Sequence, residues 1–141
     1  MSINWKRNLL LIAATVTATA ATASAQDVTL KANVPFKFSI NGSPNLAPGN
    51  YIVTRQGHIW RFRSEDSNQS VLLATAVALQ DPANQDPSLT FNCVRSHCQI
   101  RAIHTGGSGV AGAEVPGPKL SKSDREELAV VNIPLEPIRG E

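Results

Sequence analysis

The chain has 141 residues, 42% hydrophobic and 17% charged, with 13 Lys and Arg against 11 Asp and Glu. Two of the bases, Lys6 and Arg7, fall in an N-terminal segment without acids, residues 1–25, so residues 26–141 carry eleven charges of each sign. A neutral domain lacks the basic footprint that phosphate backbones require, which argues against nucleic acid as a partner.

Residues 1–25 read as a secretory signal peptide. Lys6 and Arg7 form the basic region, Leu9 to Val16 a short apolar run, and Ala23-Ser24-Ala25 a small-residue signal that predicts cleavage between Ala25 and Gln26. The dense apolar run is far shorter than the roughly 20 residues of a spanning helix. No cysteine follows it to take a lipid. The expected location is therefore the periplasm or the extracellular space, with no transmembrane segment once the signal is removed. Residues 26–141 suit a single domain with its own core.

From Val28 onward the pattern is β. Val34, Phe36, Phe38 and Ile40 alternate with Pro35, Lys37 and Ser39, which predicts one strand that starts at Pro35 or lies at an edge. Asn41-Gly42 and Pro48-Gly49 mark the loop that follows. A strand resumes at Asn50, breaks at Gly57 and continues with Trp60 and Phe62 alternating against Arg61 and Arg63. Val71 to Leu79 is apolar on both faces and predicts a central, fully covered strand; a helix of small residues fits the same run. After the loop "DPANQDPS", residues 88–104 predict a hairpin turning at "VRSH". In its expected register Cys93 faces Cys98, Phe91 faces Ile100 and Leu89 faces Ala102, while His104 needs solvent or a polar partner. Thr105 to Pro118, rich in Gly and Pro, predicts a flexible loop. The sole clear helix signal spans 121–130, with Ser123 and Glu126 as a capping box. Val130 to Ile133 predicts a last strand before Pro134 and Pro137.

Cys93 and Cys98 are the only cysteines. Directly opposed residues of an antiparallel pair stand within disulfide range, and export places them where disulfides persist. Free thiols and a metal or redox site are the alternatives. A metal site needs His97 or His104, but His97 alternates away from Cys98, and His104 lies about 20 Å further along the strand. The disulfide is the expected state. The literal G-x-G-x-x-G of Gly107 to Gly112 is followed by "AEVPGP", whose prolines forbid the helix that a dinucleotide fingerprint needs. Ser108 lacks the glycine at position 110 that a nucleophile elbow requires. His58, His97 and His104 sit in no motif with a carboxylate. Arg61 and Arg63 form a basic stripe that reads as a solvated strand face. No catalytic, cofactor or metal residue is assigned.

Asn33 to Val53, "LTFNCVRSHCQI" and Lys119 to Ala129 together resemble a group of short exported bacterial proteins of unknown function. Its members share a V-P-F-x-F strand, a Pro/Gly turn before G-x-Y, a late hairpin and a charged S-K-x-x-R-E-type helix. The present chain departs from that pattern at Leu46-Ala47-Pro48-Gly49, where L-P-A-G is expected, and in the cysteines that flank the hairpin turn. The resemblance implies a fold and an exported location, and no catalytic residues. Separately, "LAPGNY" is similar to the L-x-P-G-x-Y corner of immunoglobulin-like and fibronectin-like sandwiches. That corner assigns Leu46, Pro48, Gly49 and Tyr51 to one turn, with the Tyr51 hydroxyl bonding back to the loop backbone.

The expected fold is mainly β: one antiparallel domain of about seven or eight strands, a small barrel or a two-layer sandwich, with one late helix. Val34, Phe36, Phe38, Ile40, Val53, Trp60, Phe62, Leu73, Phe91 and Ile100 are the expected core. Three functional readings follow: a non-catalytic module working through surface contacts with an envelope or extracellular partner, a small-barrel carrier of an apolar ligand, and an exported hydrolase without a familiar motif. The sequence leaves open the partner and the oligomeric state.

Overall fold

The computed structural model describes residues 28–82, 84–106 and 110–138. The expected signal segment 1–25, with its expected cleavage pair Ala25 and Gln26, lies outside them, as do Gly107 to Gly109. Two antiparallel sheets face each other as a sandwich and do not close into a barrel. One sheet orders its strands β11 (Glu136–Pro137), β1 (Val28–Val34), β3 (Gly49–Gln56), β4 (Ile59–Ser64) and β5 (Ser70–Leu73). The other orders β10 (Leu128–Pro134), β7 (Ser88–Val94), β8 (His97–His104), β9 (Gly112–Glu114) and β6 (Val77–Leu79). The two-residue β2 (Phe38–Ser39) joins the second sheet by a parallel pairing with β8.

The strand expected from Val34 to Ile40 is two strands in different sheets. Pro35 has no N–H to continue a ladder, and beyond it the chain crosses from β1 to β2. Inside β2 and after it, Phe38, Ser39 and Ile40 are all buried, so the period of two ends there. Asn41 and Gly42, with φ of 43° and 80°, then turn the chain back, and the Ser43 amide donates to the Ile40 carbonyl at 2.9 Å. Positive φ at both central positions is what an Asn-Gly turn accommodates.

The run Val71 to Leu79 is likewise not one covered strand, nor a helix. It splits into β5 and β6, on opposite sheets, and its outward residues are open to solvent: Leu72 is 64% and Val77 62% exposed. Within the Gly- and Pro-rich segment 105–118, residues 112–114 form a strand, β9. β9 pairs with both β6 and β8, and Thr105, Ala113 and Val115 are buried. A Cβ at Gly112 would collide with the Ile103 carbonyl, so only glycine lets β9 lie that close to β8.

The helix α1 is Lys122–Glu126, shorter than the expected 121–130. Its cap is Ser121, whose Oγ accepts from the Asp124 amide at 3.2 Å, rather than Ser123. Leu128 to Pro134 pair continuously with Val94 to Ser88, and this ladder of β-branched residues takes Leu128 to Val130 from the helix.

Nine of the ten expected core residues are buried, and Phe36 packs half-buried against them. Phe38 sits at the centre, edge-on to Tyr51 and to Phe91 with ring centroids 5.1 and 5.4 Å apart. Leu30, Leu46, Tyr51, Leu89, Ile103, Val115, Ile133 and Leu135 complete the cluster. Leu135 is the counterpart of Pro35: it carries the chain from β10 back to the first sheet, where β11 pairs with β1.

Candidate functional site

The hairpin β7–β8 builds the floor of the candidate site. Cys93 pairs with Cys98 and Phe91 with Ile100, all facing the core, and the two cysteine sulfurs lie at disulfide distance, 2.07 Å. Leu89 faces Ile103 rather than Ala102, because the register shifts by one between Thr90 and Phe91. The extra residue is on β8, where Arg101 turns outward and its carbonyl accepts from the Val115 amide at 2.7 Å. The bulge leaves Arg101 on the outer face with Gln99 and switches the residues after it, so that Ile103 in place of Ala102 enters the core.

On the outer face of the same hairpin, Asn92 and Gln99 are a cross-strand pair. Residues 115–127 pass over that face as a strap. One end is held by the Val115–Arg101 bond. The other is held by Arg95 of the hairpin turn, whose guanidinium lies 2.9 Å from Glu127 and 3.8 Å from Asp124. Between strap and sheet runs a groove of about 690 Å³, a volume typical of small-ligand sites. Asn92, Gln99 and Arg101 lie on its sheet side; Val115, Pro116, Lys119, Leu120 and Arg125 lie on its strap side. Asn92 Oδ1 is the one buried side-chain oxygen without a hydrogen-bond partner among the described residues.

The groove carries a local charge surplus in a domain, residues 26–141, whose charges balance as a whole. Asp124 is engaged by Arg95. Among the described residues, Arg101, Lys119 and Arg125 have no carboxylate within ion-pair distance, and Glu114 is the remaining acid of the lining.

The histidines do not converge. His58 is exposed in the β3–β4 turn, His97 lies at the mouth of the groove, and His104 is at the far end of β8. The polar partner of His104 is Asp81, with Nδ1 2.7 Å from Oδ1. The Asp81 side chain is only 2% exposed, and its other oxygen accepts from the amides of Thr105 and Gly106 at 2.7 and 3.2 Å. The Thr105 hydroxyl donates to the Val110 carbonyl. Two of the three donors on Asp81 are main-chain amides, so the cluster fastens the segment after β8 to the segment after β6.

Arg61 and Arg63 project from the outer face of β4, on the opposite side of the molecule from the core residues Trp60 and Phe62. Leu46, Gly49 and Tyr51 meet at the turn into β3. The Tyr51 hydroxyl donates to the Ala47 carbonyl, and the Asp66 carboxylate accepts from the Asn50 amide at 3.1 Å, where a Cβ on Gly49 would stand 2.5 Å from it. Pro48 is exposed beside them.

Sequence reasoning did not find the groove. Its residues are unremarkable singly, and only the bulge at Arg101 and the strap bring them together. Comparison with protein-family models, curated proteins and solved structures finds no match. The fold and the groove define the class on their own: a two-sheet β-sandwich with a strap-walled groove on one outer face.

Proposed function

We propose that residues 26–141 form an exported, non-catalytic β-module that acts by binding, and that the groove beneath the strap is its contact site. The signal segment, the paired cysteines and the resemblance to short exported bacterial proteins support the location. Among the described residues no helix is long and apolar enough to cross a membrane. The observation that carries the binding reading is the groove itself, about 690 Å³ between strap and sheet, which Arg101, Lys119 and Arg125 line without a carboxylate within ion-pair distance among the described residues.

The space between the sheets is filled by Phe38, Tyr51, Phe62 and Phe91, each at most 1% exposed, which supports contact at the outer groove over carriage of an apolar ligand between the sheets.

The test is site-specific photocrosslinking in the native envelope. A crosslinker replacing Gln99, inside the groove, is expected to give a discrete adduct, and one replacing Leu72, on the outer face of the other sheet, is expected to give none. Adducts from Leu72 alone would move the contact site to the other sheet.

A further inference from the structure

We infer that the groove takes an extended acidic peptide segment; this rests on the groove being the contact site. Charge supplies the first argument. Arg101 at one end and Lys119 and Arg125 along the strap face the groove without carboxylate partners among the described residues, opposed by Glu114 alone. Because residues 26–141 balance eleven bases with eleven acids, this surplus is a property of the site and not of the whole surface. Arginine clusters recognise acidic motifs through paired, charge-assisted hydrogen bonds.

The floor supplies the second argument. Asn92 and Gln99 place two carboxamides side by side across the hairpin. A carboxamide presents one acceptor and one donor group, the same pair that a peptide unit presents. Gln99 is half-buried beneath the strap, and its carboxamide can exchange a donor and an acceptor with the main-chain amide of an extended peptide.

The third argument is the wall. Val115, Pro116 and Leu120 make one side apolar, and among the described residues no phenyl or indole ring lines the groove to stack on a sugar face. An acidic peptide with apolar residues between its acids matches floor, rim and wall together. An acidic oligosaccharide matches only the rim.

The experiment measures fluorescence anisotropy on the oxidised 26–141 protein. The probes are a blocked hexapeptide alternating acidic and apolar residues, its lysine counterpart, an oligoglutamate of equal length and a uronic-acid oligosaccharide. The alternating acidic peptide is expected to bind best and to weaken with added salt. Lys119→Glu with Arg125→Glu is expected to weaken it at least tenfold. Gln99→Ala is expected to weaken it several-fold without changing the salt dependence, and Arg61→Glu with Arg63→Glu, on the other sheet, to leave it unchanged. Equal binding of oligoglutamate, or preference for the uronic-acid oligosaccharide, would overturn the peptide assignment. If Gln99 crosslinks a ligand in the envelope while no acidic peptide binds, the assignment fails and the contact site stands. If the groove shows neither crosslinking nor peptide binding, both fail.

Discussion

Tyr51 is the single tyrosine of the chain, so its ionisation can be followed without interference. It is almost wholly buried, and its hydroxyl donates to the Ala47 carbonyl. Burial first, and the nearby Asp66 carboxylate second, push its pKa above the usual tyrosine value of 10.0. The sign of the linkage follows. Below a pH of about 10 the phenol is protonated in both folded and unfolded chains. Above it the unfolded chain releases the proton first, the folded chain holds more protons, and stability falls as pH rises through the folded pKa. A tyrosinate absorbance titration should therefore show a midpoint above that of free tyrosine, and Tyr51→Phe should be less sensitive to alkali. At neutral pH the same variant should cost about 0.5–1.5 kcal/mol, the worth of one hydrogen bond. A tyrosinate midpoint at or below the free value would contradict the burial. Asp81 is the other residue on which a local structure hangs. Asp81→Asn keeps its oxygen on the two amides but turns an NH₂ toward His104 Nδ1, exchanging a charge-assisted bond for a neutral one that needs the other imidazole tautomer, at an expected cost of about 1 kcal/mol. Urea unfolding followed by fluorescence of Trp60, the one tryptophan of residues 26–141, reads it directly. The Tyr51 turn is visible in sequence because donor and acceptor are four residues apart. Asp81 and His104 are 23 apart, on segments that only the second sheet brings together.

At the scale of elements, the hairpin β7–β8 is fastened three times: by the cysteine pair, by β10 along one edge and by β9 and β2 along the other. The loop closed by the two cysteines is short, so replacing both with Ala should cost only about 2 kcal/mol by loop-closure entropy. The sheet should survive, and a loss of its strand signal in circular dichroism would show that the pair does more than brace the turn. Arg95 makes the opposite trade. It occupies φ 57° in the turn, a conformation that costs an L-residue about 1 kcal/mol, and its exposed ion pairs return about 0.5 kcal/mol. Arg95→Gly should therefore leave the unfolding midpoint nearly unchanged while residues 122–127 exchange their amide hydrogens faster, because the strap has lost its anchor. Unchanged exchange would mean that the strap is held elsewhere. The hairpin was legible in sequence, down to the faces of Cys93, Cys98, Phe91 and Ile100, because burial on one side specifies register. Its bulge was not, since Arg101 and Ala102 read as ordinary alternation until β9 is placed beside them. Val71 to Leu79 misled for a related reason: periodicity records which face is apolar, and it carries no mark of where a chain leaves one sheet for the other. At 121–130 a helix does form, but it is capped by Ser121 in place of the expected box of Ser123 and Glu126, and pairing of Leu128 to Pro134 with β7 outweighs the propensity of so short a helix.

For the whole molecule, the sandwich starts almost at the expected processing site. Only Asp27 separates Gln26 from β1, which pairs with β3 from Val28 through Val34 and with β11 at Leu30 and Lys31. Cleavage after Ala25 would therefore leave every described strand and every core residue from Leu30 to Leu135 in the mature chain. Retention of the leader would instead tether an apolar run directly to an edge-proximal strand, with no spacer beyond Gln26 and Asp27. Processing and disulfide formation are then linked expectations of one route: export removes residues 1–25 and delivers Cys93 and Cys98 to an oxidising compartment. Intact mass measurement on protein recovered from its own host tests both at once. The expected species is residues 26–141 less two hydrogens, inert to thiol alkylation until reduced. A full-length chain with two alkylatable thiols would place the protein in a reducing compartment and remove the ground for an envelope partner. A processed chain with two free thiols would keep the location and leave the hairpin braced by its strand neighbours alone.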